Sequence, residues 1–166
     1  MKNGLKNKVV LITGSGSGIG RATALRFCES GASVIINGRN ENKLINTQEA
    51  FLRLGFNVDY CVADVTNVHD CAWLHNYVIT RYGKIDVVIA NGSMSMNARF
   101  DESSQFHFRE VVTSNIFSVT TPLFAFLNNL KETRGAFIII SSIAGLHGVP
   151  TASAYSVGKM ALTALH

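Results

Sequence analysis

A tyrosine and a lysine lie four residues apart in the segment Tyr155-Ser156-Val157-Gly158-Lys159. Residues four apart share one face of a helix, which would place the two side chains one turn from each other. A free tyrosine has a pKa of about 10 and is a poor base at neutral pH, but a lysine cation beside it favours the phenolate. The pair could therefore give or take a proton. Chance matches to this spacing are common, and the alternative is an aromatic ring packed on a sheet beside a surface lysine.

Ser142 precedes the tyrosine by 13 residues and follows an apolar segment. A serine hydroxyl can hydrogen-bond the same substrate oxygen that the tyrosine protonates, and so hold that oxygen in place. Together the two side chains would act on a carbonyl oxygen during reduction or on an alcohol during oxidation. Ser142 and Tyr155 are therefore the predicted substrate-binding residues.

A glycine-rich turn near the start of the sequence predicts an anion-binding site. The apolar run Val9–Ile12 is followed by Thr13 and then by Gly14-Ser15-Gly16-Ser17-Gly18-Ile19-Gly20, after which an amphipathic segment begins. This order of buried strand, tight turn and helix presents backbone N–H groups to an anion at the helix N-terminus. The glycines turn the chain, let a pyrophosphate approach the backbone and let the helix pack on the strand. An ordinary Gly/Ser-rich loop is the alternative.

The glycine spacing separates this turn from two common nucleotide motifs. Gly14, Gly18 and Gly20 follow the pattern Gly-x-x-x-Gly-x-Gly, whereas the pattern Gly-x-Gly-x-x-Gly would need glycine in place of Ile19. No Gly-Lys-Ser/Thr follows, so a nucleotide-triphosphate loop is not predicted. The usual dinucleotide fingerprint does not fit either, so the anion-binding interpretation depends on the order of strand, turn and helix.

The end of the second predicted strand bears on the choice of cofactor. It reads Asn37-Gly38-Arg39-Asn40, with no carboxylate before Glu41. In dinucleotide folds an acidic residue at this point binds the ribose 2′-hydroxyl of NAD, whereas a guanidinium can bind a 2′-phosphate. Arg39 therefore predicts NADP(H) as the preferred cofactor, with NAD(H) still possible. A solvated loop charge is the alternative for Arg39.

Asp64 follows the third predicted strand, and its carboxylate could accept a hydrogen bond from an adenine amino group. Its alternative role is to cap the helix that follows.

Ligands of parallel sheets bind beyond the carboxyl ends of the strands. The residues predicted at those ends are Gly14, Asn37 to Arg39, Asp64, Asn91 and Ser141-Ser142.

Strands and helices alternate along the chain. The predicted strands cover residues 9–12, 32–37, 56–62, 85–90 and 136–141. The predicted helices follow the glycine turn, cover residues 41–54, 67–82 and 103–130 with Pro122 bending the last of these, and begin again near Ala154. Such alternation implies right-handed crossovers. The predicted fold is α/β, a Rossmann-type doubly wound parallel sheet with helices on both faces.

The bulk composition predicts one globular domain, residues 1–166, with 47% hydrophobic and 16% charged residues. The net charge of +4 comes from scattered basic residues, apart from Lys2, Lys6 and Lys8, which we interpret as a solvated N-terminal end. No basic face with interleaved aromatics is evident, so no nucleic-acid partner is predicted.

No segment is predicted to cross a membrane or to act as a secretory signal. The most apolar candidate, residues 116–130, is interrupted by Thr120, Thr121, Pro122, Asn128 and Asn129. The three cysteines are Cys28, Cys61 and Cys71, an odd number without paired spacing. They indicate a reducing compartment, and we expect a cytoplasmic protein.

Three other groups of residues are weaker candidates. His69, Cys71 and His75 lie in one predicted helix, but no fourth ligand accompanies them, so a solvated helix surface is favoured and no metal site is predicted. His147 could contact a substrate, although a loop histidine is favoured. The stretch Met94-Ser95-Met96 could line a pocket or simply pack.

The motifs together resemble those of the classical short-chain dehydrogenases/reductases. Residues 13–20 resemble the family's Thr-Gly-x-x-x-Gly-x-Gly cofactor motif, and Ser141-Ser142-Ile143-Ala144-Gly145 resembles its serine segment. Tyr155 and Lys159 match the family's catalytic tyrosine and lysine, and both are also expected to contact the cofactor. The resemblance covers essentially the whole sequence, and the motifs recur in the family's order.

The resemblance implies roles for further residues. Asn115 matches the catalytic asparagine, which helps to hold a water in a proton relay through Lys159, and Asp64-Val65 matches the adenine-contacting pair. Asn91 matches part of the family's Asn-Asn-Ala-Gly, although its neighbours differ here. The function implied is hydride transfer between NADP(H) and a small-molecule carbonyl or secondary alcohol, in a protein expected to be a homo-oligomer.

Family members continue past the active-site helix, so the resemblance implies a domain truncated after this helix. We expect the strand at residues 136–141 to form a sheet edge, and the chain to be marginally stable, prone to associate and weakly catalytic at most. The alternative function is therefore a non-catalytic dinucleotide-binding or interaction module.

Overall fold

One parallel sheet of five strands forms the centre of the computed structural model, which describes residues 4–165. Lys2 and His166 lie outside the described residues. The strands are β1 (Val9–Ile12), β2 (Ser33–Gly38), β3 (Asp59–Val62), β4 (Val87–Ala90) and β5 (Ala136–Ile139), in the spatial order β3-β2-β1-β4-β5. The order reverses direction between β1 and β4, where a doubly wound sheet opens a crevice for ligands. The predicted fold class is confirmed.

Five α-helices cover the sheet within the described range. They are α1 (Gly18–Glu29), α2 (Glu41–Arg53), α3 (Val68–Tyr82), α4 (Gln105–Thr133) and α5 (Ser153–Thr163). Two short 3-10 helices, Phe100–Glu102 and Ile143–Gly145, were not predicted. The predicted strands at residues 56–62, 85–90 and 136–141 are two residues or more longer than the strands observed there. Asp86 and Ile140 still donate backbone hydrogen bonds to neighbouring strands beyond the strand ends.

Alternate side chains of β1 enter two separate cores. Leu11 packs with Leu74 of α3 and Phe126 of α4 on one face of the sheet. Ile12 packs with Leu44 and other apolar residues of α1 and α2 on the opposite face. A strand buried on both faces reads as a continuous apolar run, which is why Val9–Ile12 is apolar throughout.

One alternative and one favoured interpretation for the residues around α3 are wrong. Asn67 caps this helix, since its side chain accepts hydrogen bonds from the backbone N–H groups of its first turn, so Asp64 is not the cap. The face that carries Cys71 and His75 is not a solvated surface: Cys71 is buried, and His75 contacts Asn129 of α4 at 2.8 Å. Among the described residues, no group of three or more His, Cys, Asp or Glu could hold a metal ion.

α4 is long and apolar enough to cross a membrane by the criteria of length and composition, the one such helix in the range 4–165. Core helices meet the same criteria. Here the helix buries Val119, Pro122 and Phe126, and it continues through the proline without ending.

Candidate functional site

The glycine turn connects β1 to α1 and is fastened to the end of β4. Gly14 and Gly18 have φ values of 61° and 54°, a conformation that favours glycine. The side-chain amide of Asn91 donates to the carbonyl oxygens of Thr13 and Gly14, each at 3.1 Å. A Cβ on Gly20 would lie 2.5 Å from that same amide nitrogen, so only glycine fits where the helix begins.

Thr13 completes this attachment and was not predicted as a site residue. Its hydroxyl oxygen accepts from the backbone N–H groups of Asn91 and Gly92, at 3.1 and 3.2 Å. The ends of β1 and β4 are thereby held side by side at the point where the strand order reverses. This contact joins residues 78 positions apart, so the local sequence carries no signal of it.

A cleft of about 350 Å³ opens beside the turn, at the carboxyl ends of the strands. The predicted cofactor residues that line it are Gly14, Ser17, Gly18, Ile19, Arg39, Asp64, Val65 and Asn91. The residues of its wall that were not proposed as contacts are Asn37, Gly38, Ala63, Thr66, Gly92, Ser93, Ser114 and Ser118. An elongated ligand lying over the turn would contact both sets.

Ser15, Gly16 and Gly20 belong to the turn but not to the wall of the cleft. Ser15 is buried, and its hydroxyl donates to the carbonyl of Ile12 at 2.7 Å. The carbonyl of Gly16 accepts from the hydroxyl of Thr47 at 3.2 Å. Ser15 and Gly16 thus face β2 and α2 and shape the turn from behind.

Asn37 is a buried polar residue at the end of β2. Its amide donates to the backbone carbonyls of Cys61 and Ala63, both at 3.1 Å, which ties β2 to the end of β3. This clamp places the following residues, Gly38 and Arg39, at the rim of the cleft.

Arg39 and Asp64 face each other across this rim. Arg39 Nη1 lies 3.6 Å from Asp64 Oδ2, and the two side chains are 72% and 33% exposed. Asp64 Oδ1 accepts from the backbone N–H and the hydroxyl of Thr66, at 3.0 and 2.7 Å. Burial works to raise the pKa of Asp64, but the Thr66 hydrogen bonds and the Arg39 charge outweigh it and hold that pKa below its usual range.

The predicted tyrosine–lysine pair lies on α5. Lys159 is 2% exposed, its ammonium donates to the backbone carbonyl of Ile140 at 2.8 Å, and its Nζ lies 5.7 Å from the centre of the Tyr155 ring. Burial lowers the pKa of Lys159. Tyr155 is half-buried, so part of its side chain is accessible to a ligand. The alternative of a surface lysine is wrong.

Asn115 of α4 lies directly against α5. It is 1% exposed, and its amide nitrogen donates to the carbonyls of Met94 and Val111 at 2.6 and 2.8 Å. Its Oδ1 has no hydrogen-bond partner among the described residues. A Cβ on Gly158 would lie 2.8 Å from the Asn115 Cβ, so glycine allows the two helices to approach this closely.

Ser142 is half-buried and lies where β5 leads into the 3-10 helix Ile143–Gly145. Its hydroxyl oxygen accepts from the backbone N–H of Ala144 at 3.2 Å, so the side chain also caps that helix. His147 is exposed and its ring contacts the carbonyl of Gly148 at 3.1 Å. Met94 contributes its backbone carbonyl to Asn115.

The loops before α4 and α5 are joined by one backbone contact. The N–H of Ala98 donates to the carbonyl of Thr151 at 2.8 Å, beside a parallel bridge between Ala98 and Ala152. Thr151 has φ 61°, which is strained for a β-branched residue. The strained residue shortly precedes the helix of Tyr155, and such strain is common at functional sites.

The cleft and the tyrosine centre are adjacent but separate features. Ser114 and Ser118, which flank Asn115 on α4, line the cleft. Ser142, Tyr155 and Lys159 are not among its lining residues. α4 therefore links the predicted cofactor turn to the predicted catalytic residues.

Comparisons with known proteins find relatives along almost the whole chain. The sequence matches the family model for short chain dehydrogenase over residues 8–166. The 11-beta-hydroxysteroid dehydrogenase B of Sesamum indicum is 33% identical over 160 residues, which cover 95% of this chain and 44% of the relative. The chain spans between 44% and 64% of the length of the curated relatives that match it first.

Solved structures share the fold over the same range. The alcohol dehydrogenase of Thermococcus sibiricus, complexed with 5-hydroxy-NADP, has a TM-score of 0.90 and 30% identity, covering 95% of this chain and 68% of that one. An NAD+-bound xylitol dehydrogenase has a TM-score of 0.93 and 28% identity, covering 98% of this chain and 64% of that one.

Proposed function

The chain belongs to the short-chain dehydrogenase family, and on that premise we propose that it interconverts a small-molecule carbonyl and a secondary alcohol with NADP(H). The observation that carries the proposal is the buried ammonium of Lys159, fixed on the Ile140 carbonyl at 2.8 Å and lying under the Tyr155 ring. Within residues 4–165 this cation has no ion-pair partner, and burying an unpaired charge costs free energy. A role for the charge beside the half-buried Tyr155 would explain why it is kept.

A nicotinamide dinucleotide is the cofactor class that relatives of known structure support, since some bind NADP and others NAD. The cleft suits such a molecule for two reasons. A ligand can approach the backbone closely at the glycines of its wall, and the exposed side chain of Ile19 offers an apolar surface. The bound cofactor would supply or accept the hydride. Arg39, at the rim beyond β2, supports the preference for the 2′-phosphate of NADP(H).

The roles of the chain's own residues follow from their positions. The Tyr155 hydroxyl would give its proton to the carbonyl oxygen as that carbon accepts the hydride, and would take a proton back through Lys159. Ser142 would hold the substrate oxygen, exchanging its capping bond with the Ala144 N–H for one with substrate. Asn115 would fix the place of Lys159 by closing α4 onto α5.

The test is reduction of a panel of ketones and aldehydes by NADPH, with wild type and Tyr155→Phe. The substitution removes one hydroxyl, so we expect turnover to fall by about 100-fold or more while the Kd for NADPH changes by less than about twofold. Tyr60→Phe is the matched control, since the Tyr60 hydroxyl lies on β3 near Glu41 and should not affect turnover.

The outcomes separate the proposal from its alternative. Turnover that survives Tyr155→Phe near the wild-type rate contradicts the proton-donor role. NADPH binding by wild type with no turnover of any carbonyl contradicts the enzymatic proposal and favours a dinucleotide-binding module.

We also propose a cytoplasmic location, which the three free, buried cysteines support.

A further inference from the structure

Arg39 and Asp64 are the charged residues in the wall of the cleft; the other lining residues within the described range are uncharged. One charge is positive and the other negative, with Arg39 Nη1 at 3.6 Å from Asp64 Oδ2. The electrostatic character of the rim therefore depends on whether the guanidinium faces the carboxylate or a ligand.

The carboxylate is the fixed member of the pair. Thr66 binds Asp64 Oδ1 through both its backbone N–H and its hydroxyl, and Asp70 Oδ2 accepts from the Asp64 backbone N–H at 2.9 Å. These bonds leave Oδ2 directed to Arg39. The guanidinium, by contrast, is 72% exposed and has no hydrogen bond shorter than its 3.6 Å contact with Asp64 within the described residues.

We propose that Asp64 is a specificity-determining residue that opposes Arg39: its fixed carboxylate partly occupies the guanidinium and reduces the preference for a 2′-phosphate over a 2′-hydroxyl. The inference rests on the proposed function, in which this cleft binds NADP(H). A 2′-phosphate that reaches Arg39 must share the guanidinium with a carboxylate already in place and bring its own negative charge towards it. The uncharged 2′-hydroxyl of NAD(H) meets neither cost.

The test measures the Kd of NADPH and of NADH for wild type and Asp64→Asn by fluorescence titration. Asparagine keeps the size of the side chain and an oxygen that can accept from Thr66. If the substitution also removes a hydrogen bond to adenine, both cofactors bind more weakly by the same factor, and the ratio of the two Kd values is unaffected. We expect the preference for NADPH over NADH to rise about three- to fivefold at low salt, near the upper end of what exposed ion pairs contribute, and to rise less at high salt.

Two controls isolate the pair. Glu41→Gln removes one negative charge close to Arg39 in sequence but outside the cleft wall, and should leave the ratio unchanged. In an Arg39→Gln background, Asp64→Asn should raise the ratio less, because only the repulsion between the carboxylate and the 2′-phosphate remains to be relieved. Asp64→Ser serves as a second neutral variant if Asp64→Asn does not fold.

A ratio that stays constant or falls in Asp64→Asn overturns this inference, as does an equal rise in Glu41→Gln. If the wild-type protein prefers NADH, the proposed preference for NADPH is wrong, but the inference about Asp64 is still testable. A rise of the ratio in Asp64→Asn would then still show that Asp64 opposes Arg39. Wild type that binds neither cofactor overturns the proposed function and this inference with it.

Discussion

Asp86 shows how a single buried carboxylate holds the far end of the sheet together. It is 3% exposed and lies between the ammonium groups of Lys8 and Lys84, at 2.8 and 2.9 Å. It also accepts from the backbone N–H of Val9 at 2.9 Å, which joins the start of β1 to the residue before β4. This cluster lies at the amino ends of the strands, opposite the cleft.

The ionisation of Asp86 should make stability depend on pH. Burial works to raise the pKa of Asp86, but Lys8, the Val9 N–H and Lys84 lower it to about 2. A group whose pKa is lower in the folded state stabilises the fold above its unfolded pKa and loses that effect as the pH falls through the folded value. We expect about 2 kcal/mol of the unfolding free energy to be lost between about pH 4 and pH 2, measured by urea unfolding at several pH values.

Asp86→Asn is the matching variant. It should lose about 2 kcal/mol at neutral pH, because both lysines lose their ionic partner, and its stability should change less than that of wild type between about pH 4 and pH 2. Asp101→Asn is the control, since Asp101 is exposed and pairs with Arg99 on the surface. Equal pH dependence in wild type and Asp86→Asn would contradict the assignment.

At the scale of elements, the sequence predicts whatever is encoded locally. The run Val9–Ile12 followed by glycines was sufficient for β1, the turn and α1, and the four-residue spacing of Tyr155 and Lys159 placed both on α5. The local sequence cannot show that the Asn37 side chain binds carbonyl groups 24 and 26 residues away, because these groups meet only when β2 and β3 pair. The burial of Ser15 was equally hidden, since the φ values of the turn decide where its side chain points.

The close approach of α4 and α5 depends on Gly158. Alanine there would place a Cβ 2.8 Å from the Asn115 Cβ and force the helices apart. Overpacking of this kind costs about 1–3 kcal/mol, which should exceed the gain of about 1 kcal/mol from the better helix propensity of alanine. We therefore expect Gly158→Ala to lower the unfolding free energy by up to about 2 kcal/mol in urea unfolding and to reduce turnover.

The control for this prediction lies one residue earlier on the same helix. Val157 is 46% exposed, and Val157→Leu adds one carbon atom, as Gly158→Ala does, on the exposed side of α5. It should leave stability within about 0.5 kcal/mol of wild type. A Gly158→Ala protein more stable than wild type would show that helix propensity outweighs the contact with Asn115.

At the scale of the whole molecule, the two edges of the sheet differ. β3 carries Asp59, whose carboxylate binds Arg81 and Tyr82 of α3 and places charge at that edge. β5, at the other edge of the sheet within residues 4–165, reads Ala-Phe-Ile-Ile without charge or proline, and Ile138 is 40% exposed. Unpaired apolar edges form hydrogen bonds with strands of other chains, whereas charges at an edge oppose this.

We therefore expect the 166-residue chain to associate through β5, and Ile138→Lys to weaken that association. The side chain at 138 is partly exposed and belongs to none of the buried core clusters, so lysine can extend its ammonium into water at little cost to the fold. Sedimentation velocity over a concentration series should show self-association of wild type, and a clear shift towards monomer in Ile138→Lys with a similar thermal midpoint.

Leu54→Lys provides the comparison that isolates the edge, because Leu54 is also an exposed apolar residue, 59% exposed, but it lies at the end of α2. The two variants gain the same charge and lose a similar exposed apolar side chain. If general hydrophobicity or net charge governs association, both will reduce it equally. If β5 governs association, only Ile138→Lys will reduce it. A charged side chain on an edge strand opposes the pairing of a second strand with that edge. Wild type that sediments as a monomer at every concentration would show that this edge does not recruit a second chain.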